Sequence, residues 1–391
     1  MNQTVRQEIA AGAKRLVVKV GTRVVTDDTS RLDVARIRRL AEELCQLVQS
    51  GREVVLVSSG AVGAGLRFLE MDRRPEDLAK LQAVAAVGQT KLIDEYERSF
   101  SKHGRHAAQV LLTVDDLNHR KRYLNVRNTL IELLDMGTIP VVNENDTVAV
   151  DELMLTVGDN DRLAATVTNL LRASLLVILS DIDGLYDGDP ATGQASIVHE
   201  VTELDDDVFS LVQDRTLAPS SAIQLSKGGM RSKLQAARMV TSAGENMIIA
   251  NGNEVGVLGR IMAGERIGTL FVARGKSVSP RKRWIGFSVQ PRGRFSLDDG
   301  ACQAIVQQGR SLLAIGVTGV TGQFDKGDVV LICDAKGIEM ARGLTNYSSV
   351  EVMRIRGKRS DQIAEVLGHC PYKEVVHRDN LLVTNPSNPS V

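Results

Sequence analysis

The sequence predicts an α/β protein: a three-layer sandwich with a mostly parallel central sheet, followed by a small β-rich, barrel-like domain. Three observations carry this. From Lys14 to about Val272, short apolar runs alternate with longer stretches of 3.6-residue periodicity, the pattern of βαβ units in a parallel sheet. The runs are continuous rather than alternating, as in strands covered on both faces. A basic stretch with one proline, ARGKSVSPRKRW at 273–284, then gives way to short, glycine-punctuated runs, which suit a small β-barrel.

Taken in order, RLVVKV, EVVLVS, AAQVLLT, TIPVVN and LLVILS are expected strands, with ENMIIA and GTLFVA as late strands of the same domain. Between them DVARIRRLAEELCQLVQSG, EDLAKLQAVAAVGQTKLIDEYERSF and RKRYLNVRNTLIELLDMG read as amphipathic helices. The first and last close on glycine, a residue that ends helices by turning left-handed. In the second domain IGFSVQ, RFSLDD, LLAIGVTGV, DVVLICD and SVEVMRI are expected strands and DDGACQAIVQQG a helix. The expected boundaries are 1–275 for the first domain, 276–284 for a linker, 285–384 for the second domain and 385–391 for a disordered tail.

Composition excludes several classes. With 391 residues, 43% of them hydrophobic, the chain can bury two cores. Lys plus Arg and Asp plus Glu number 48 each, so the basic footprint of a dedicated nucleic-acid or anionic-membrane binder is missing. Cys45, Cys302, Cys333 and Cys370 make no CxxC pair, which argues against a zinc ribbon or a disulfide framework and for a reducing cytoplasm. No apolar run approaches the roughly 18 residues that span a bilayer, and the N-terminal stretch lacks a signal-peptide core, so neither export nor membrane insertion is expected.

Polar or glycine-rich segments follow the expected strands: KVGT at 19–22, SSGAVGAG at 58–65, NEND at 143–146 and SDIDGLYDGDP at 180–190. The carboxyl ends of parallel strands share one edge, so these segments can line one crevice. The glycines of SSGAVGAG suit either backbone approach to an anion at a helix N-terminus or a plain tight turn; neither GxGxxG nor a P-loop is present. Lys19 interrupts an apolar strand, where its charge needs an anion unless it reaches solvent. In SKGGMRSK at 226–233, two glycines precede an expected helix with Lys233 near its first turn, a polyphosphate site or an ordinary solvated lysine. Asp181, Asp183 and Gly184 miss the EF-hand spacing, and no histidine or cysteine joins NEND or GDND at 158–161, so calcium and transition-metal chemistry are set aside. Carboxylates, amides and lysines without an evident base or nucleophile suit phosphoryl transfer. HRDN at 377–380 looks like a protein-kinase catalytic loop, but no GxGxxG loop or DFG accompanies it.

VVKVGT, VSSGAVGAG, VVNENDTV, VGDND, SDIDGLYDGDP and GGMRSKLQAA, in that order, resemble the glutamate-phosphorylating branch of the amino acid kinase family. GRFSLDDGACQAIVQQGRSLLAIGVTGV followed by FDKGDVV resembles the PUA domain appended to many of its members. The resemblance implies the amino acid kinase fold and ATP-dependent phosphorylation of the γ-carboxylate of L-glutamate to L-glutamyl 5-phosphate, the first step of proline biosynthesis. Carried over by motif, Lys19 contacts the nucleotide phosphates, Ser59, Asp146 and Asn160 hold glutamate, and Ser180 and Asp181 line the nucleotide pocket. Lys227, Gly228, Gly229, Met230, Arg231, Ser232 and Lys233 form a loop over the nucleotide, with Lys233 on the transferring phosphate. Asp161 orients the two lysines, and Asp159 helps to place Mg2+. The family loop usually reads Gly-Thr-Gly-Gly-Met, whereas Ser226 and Lys227 stand first here and Ser232 replaces a usual threonine.

A glutamate side chain, whose carboxyl ordinarily titrates at about 4.3, is already ionised at pH 7, so the missing base is consistent with this chemistry. The resemblance further implies feedback inhibition by L-proline at the glutamate pocket, a homo-oligomer (dimer or tetramer) and glutamyl phosphate reductase as a functional partner. The readings left open are a family member acting on N-acetylglutamate, aspartate or a small phosphate, and an RNA-binding regulatory protein working through the second domain.

Overall fold

The computed structural model describes residues 3–27, 32–148, 159–213, 224–273 and 279–384. The tail at 385–391, residues 276–278 of the expected linker and the two residues before it lie outside that set. Two compact units divide the chain, Met1–Ser277 and Val278–Val391.

In the first unit the most apolar runs sit at the centre of the sheet. RLVVKV forms β1 (Arg15–Val20), flanked in parallel by β2 (Glu53–Ser58) and by β5 (Leu175–Ser180). Leu16, Val17 and Val18 are fully buried, as continuous apolarity on a doubly covered strand requires. With β3 (Ala107–Leu112), β4 (Ile139–Glu144), β6 (Glu200–Val201), β7 (Asn246–Asn251) and β8 (Thr269–Phe271), the order is β3-β4-β2-β1-β5-β7-β8-β6. All pairs are parallel except β7 with β8. Strand order reverses about β1, so the crevice at its carboxyl end is a topological switch point.

The strand ends remain joined past the sheet: Gly21 N–H donates to Leu179 O at 3.0 Å, Ser59 N–H to Val20 O at 3.2 Å and Gly252 N–H to Ser180 O at 2.8 Å. Helices Val34–Gln49 and Leu78–Ser101 cover the sheet with Ile37, Leu44, Leu92, Tyr96 and Phe100. Their N-termini are fixed by Asp33 and Asp77, whose side chains accept from backbone N–H groups of the first turn, as N-cap residues do. No helix among the described residues is long and apolar enough to cross a membrane.

The second unit carries a five-stranded sheet, β9 (Gly293–Leu297), β10 (Val317–Gly322), β11 (Val329–Cys333), β12 (Glu339–Thr345) and β13 (Val376–Val383), in the order β10-β9-β11-β12-β13. Phe295, Ile332 and Tyr347 are among its core residues. Two expected strands are helical instead. SVEVMRI is the helix Ser349–Ile355, because Ser348 and Glu351 form a capping box and Ser349, Val352 and Ile355 repeat at helical spacing. In IGFSVQ, Trp284–Ser288 is a π-helical turn in which Trp284, Ile285, Gly286 and Ser288 are all buried, not alternately. HRDN lies in β13, paired with β12, and so forms a strand rather than a catalytic loop.

Candidate active site

Lys19 enters the crevice from β1, in register with Val57 and Ile178. It is only 6% exposed, so the strand gives its charge no route to water. Its Nζ lies 2.5 Å from Oδ1 of Asp161, an ion pair outside hydrogen-bonding geometry. Asp161 is 1% exposed and belongs to the helix Asp159–Leu171. Its other oxygen accepts from Lys233 Nζ at 3.2 Å and Ser232 Oγ at 2.8 Å. Burial pushes the Asp161 carboxyl up, but Lys19, Lys233 and Ser232 outweigh it and hold the group below the usual carboxylate range. Burial lowers the Lys233 ammonium from its ordinary value, with Asp161 and the more remote Asp181 opposing. One carboxylate thus faces two buried lysines, so the cluster carries more cationic than anionic groups, as a polyanion site requires.

The expected loop at 227–233 is a correction. Gln224–Thr241 is one helix, so Gly228 and Gly229 lie inside it, and Lys233 is in its third turn rather than its first. Glycine weakens a helix by about 1 kcal/mol without forbidding it, and the turn is reinforced where Ser232 Oγ and Lys233 Nζ both donate to Gly229 O, at 3.0 and 3.2 Å. Met230 is buried and Arg231 exposed. The side chains of Asp159 and Lys227, together with the surroundings of Gly228, lie outside the described residues.

SSGAVGAG forms the tight strand-to-helix turn, one of the two readings its glycines allow. Gly60 caps the helix Ala61–Phe68 with φ 115°, a left-handed conformation that glycine adopts freely, while Gly65 lies inside that helix. A Cβ on Gly65 would come 2.0 Å from Val84 O, and one on Gly88 1.8 Å from Ala61 O. These two glycines let two helices pack backbone against backbone; Gly65 cradles no phosphate.

Beside the charged cluster runs a neutral one. Asn160 Nδ2 donates to Ser59 Oγ at 2.9 Å and to Asn143 Oδ1 at 3.2 Å, and Asn143 Nδ2 donates to Gln89 Oε1 at 2.9 Å. Asp146, just past β4, is half-buried; burial pushes its carboxyl up to about 6, against an opposing pull from Arg74. At the end of β5, Ser180 Oγ donates to Asp181 Oδ1 at 3.1 Å and Arg23 Nη1 to Asp181 Oδ2 at 2.7 Å. Burial raises the Asp181 carboxyl, yet Arg23, a backbone N–H and Ser180 hold it below its ordinary value. The rest of SDIDGLYDGDP is structural, since Asp183 accepts from Asn251 Nδ2 and Tyr186 Oη, both at 2.8 Å.

Lys19, Asp161, Ser232 and Lys233 therefore meet directly, as do Ser59 and Asn160, with Ser180 and Asp181 at the neighbouring strand end. Sequence reasoning missed Gln89, Asn143, Arg23 and Arg74. Asn143 stands within NEND itself; Gln89 offers only an amide in an otherwise apolar helical stretch.

A switch-point crevice that combines paired lysines on one carboxylate with an amide wall suits a phosphotransferase acting on a small polar substrate. Residues 14–251 match the amino acid kinase family and residues 293–367 the PUA domain; the chain belongs to the amino acid kinase family. Its curated relatives include the glutamate 5-kinase of Rhodopirellula baltica, 50% identical over 379 residues, covering 97% of this chain and 96% of that one. The glutamate 5-kinase of Caldanaerobacter subterraneus is 46% identical over 370 residues (94% and 97% covered). That of Pseudomonas putida is 46% identical over 373 residues (95% and 98% covered).

Proposed function

We propose that this chain is a glutamate 5-kinase, transferring the γ-phosphoryl group of ATP to the side-chain carboxylate of L-glutamate and so opening proline biosynthesis. The observation that carries the reading is the buried Lys19–Asp161–Lys233 cluster beside the Ser59–Asn160 pair, in a chain whose near-full-length relatives bear that name.

A γ-carboxylate oxygen of glutamate attacks the γ-phosphorus, the bond to the β-phosphate oxygen breaks, and ADP leaves. The nucleophile is already ionised, so the barrier is largely repulsion between anions. Lys19 and Lys233 offset that repulsion on the transferring group, and Asp161 holds both in place without taking part in proton transfer. Ser180 and Asp181 line the nucleotide pocket, and the segment 227–233 covers the nucleotide. Asp146 pairs with the α-ammonium of glutamate, a charge-assisted contact that an N-acylated acid cannot make.

The described residues fit a magnesium ion held chiefly by the nucleotide's own phosphates, a common arrangement for this cation. Asp161 is committed to its lysines and Asp181 to Arg23, and no group of three acidic, histidine or cysteine side chains is gathered among the described residues. Asp159 is the residue that would help to hold the ion, which when bound neutralises phosphate charge. Proline competes with glutamate for the amide wall and Asp146, the enzyme works in the cytoplasm as a homo-oligomer, and its product passes to glutamyl phosphate reductase.

Incubation with ATP, magnesium and hydroxylamine tests the reading: free glutamate should yield γ-glutamyl hydroxamate. Turnover of N-acetylglutamate or aspartate with none of glutamate would sink it. Proline should raise the apparent KM for glutamate and leave kcat unchanged; inhibition indifferent to glutamate concentration would remove the shared pocket.

A further inference from the structure

Gln89 lies in the helix Leu78–Ser101, is only 8% exposed, and has no part in phosphoryl transfer as described above. Its side chain ends a row of amides. An amide has one acceptor oxygen and one donor nitrogen, so such a row has a direction. Gln89 Oε1 accepts from Asn143 Nδ2 at 2.9 Å. With its nitrogen turned that way, Asn143 presents Oδ1 to Asn160, which donates at 3.2 Å while also donating to Ser59 Oγ at 2.9 Å. Both hydrogens of Asn160 Nδ2 are then in use. What remains at the two ends is buried and has no hydrogen-bond partner among the described residues: Asn160 Oδ1, an acceptor, and Gln89 Nε2, a donor. Reversing the row would make Asn143 donate to Asn160 Oδ1 and consume the acceptor.

We infer that Gln89 is a positioning residue that sets the direction of this row, so that Asn160 offers a bare carbonyl oxygen to the α-ammonium of the amino-acid substrate. Ser59, which accepts from Asn160, keeps its own hydrogen for the substrate's α-carboxylate. A reversed row would face the ammonium with N–H groups and repel it. The inference rests on the glutamate reading above and adds a second selector for the ammonium, on neutral groups, beside Asp146.

The test uses three forms of the full chain: wild type, Gln89→Met and Gln89→Glu. Methionine fills the space but cannot accept from Asn143; glutamate as a carboxylate can only accept, which locks the observed direction. Gln89→Met should raise the KM for glutamate about tenfold and change kcat less than threefold. Its inhibition constant for glutarate, which lacks the ammonium, should stay within twofold of wild type. Gln89→Glu should bind glutamate as tightly as wild type or more so. Parallel losses for glutamate and glutarate, an unchanged glutamate KM in Gln89→Met, or a Gln89→Glu enzyme as weak as Gln89→Met would each overturn the inference alone. If Gln89→Met does not fold, the Gln89→Glu value decides by itself, a tenfold rise in KM being fatal. Wild-type protein that never turns over glutamate would overturn the functional reading, and this inference with it.

Discussion

Asn160 and Asp161 are consecutive residues of one helix, yet they serve two regions built on opposite principles. Around Asp161 each charge has an opposite partner within the protein, Lys19 at 2.5 Å and Lys233 at 3.2 Å sharing the one carboxylate. Around Asn160 the row from Ser59 to Gln89 is neutral, and among the described residues it leaves an acceptor on Asn160 and a donor on Gln89 without partners. The difference follows from the cost of burial. An uncompensated buried ion would shed its charge or unfold its surroundings, so it must be paired before any ligand arrives. A buried amide carries a smaller penalty and can wait for its partner, which makes it the better reader of a small substrate.

The sharpest way to break this contrast is to remove the shared carboxylate. Asp161→Ala should lower stability by about 3–5 kcal/mol in a urea titration, because two buried lysines lose the carboxylate that pairs with both of them, and should abolish activity. A loss below about 1 kcal/mol would show that the lysines find other partners. The sign with pH follows from the depressed carboxyl: its stabilisation is fully present above the ordinary carboxylate pKa of about 3.9 and disappears as the pH falls through the folded value.

Lys233→Met comes next, with an expected fall of about 10²–10³ in kcat and little change in the KM for glutamate. A defect confined to glutamate KM would move this lysine into the substrate wall.

At the expected ammonium contact, Asp146→Asn should lower kcat/KM for glutamate by about 10–100-fold, the worth of one charge-assisted contact. Because the Asp146 carboxyl titrates at about 6 and must be ionised to hold an ammonium, wild-type kcat/KM should drop about tenfold per pH unit below that value. In Asp146→Asn this limb should vanish, and its survival would reassign it.

Gly88→Ala sharpens the comparison through the backbone. The added methyl would sit 1.8 Å from Ala61 O and push the helix carrying Gln89 away, costing about 1–3 kcal/mol in thermal or urea unfolding and disturbing glutamate KM more than ATP KM. Arg23→Ala should do least. Its pair with Asp181 is half-exposed and worth under about 1 kcal/mol, so ATP KM should change only a few-fold.

The parallel core was legible because doubly buried strands announce themselves: RLVVKV, EVVLVS and LLVILS each carry a run of consecutive apolar residues rather than an alternating pattern, and all three lie side by side in one sheet. The charged half of the site was legible too, since a lysine inside such a run has no bland explanation once it is buried. Legibility failed where one signal serves two physical purposes. The glycines of SSGAVGAG suit either an anion at a helix N-terminus or a tight turn, whereas Gly65 is small because a neighbouring helix backbone lies against it. SVEVMRI alternates like a strand, but the Ser348–Glu351 capping box and the buried triplet Ser349, Val352, Ile355 decide for helix. In SKGGMRSK the glycines read as a breaker, yet the hydrogen bonds of Ser232 and Lys233 to Gly229 O help carry the helix through. Gln89 was invisible for another reason: its meaning depends on Asn143, which meets it only in the folded chain.

The placement of β1 between β2 and β5 also governs the order in which the protein can assemble. Lys19 is made early, but the strand that completes its surroundings and the helices that bring Asp161 and Lys233 come much later in the chain. Until they dock, an ammonium sits in a largely apolar strand without its carboxylate partner, so β1 is a poor place for folding to begin. Local pairs, such as the closely packed helices Ala61–Phe68 and Leu78–Ser101, are better placed to nucleate, and the long-range pairing of β1 with β5 should form late. Catalytic competence should therefore return only in the last phase of refolding, after most of the helix content is regained.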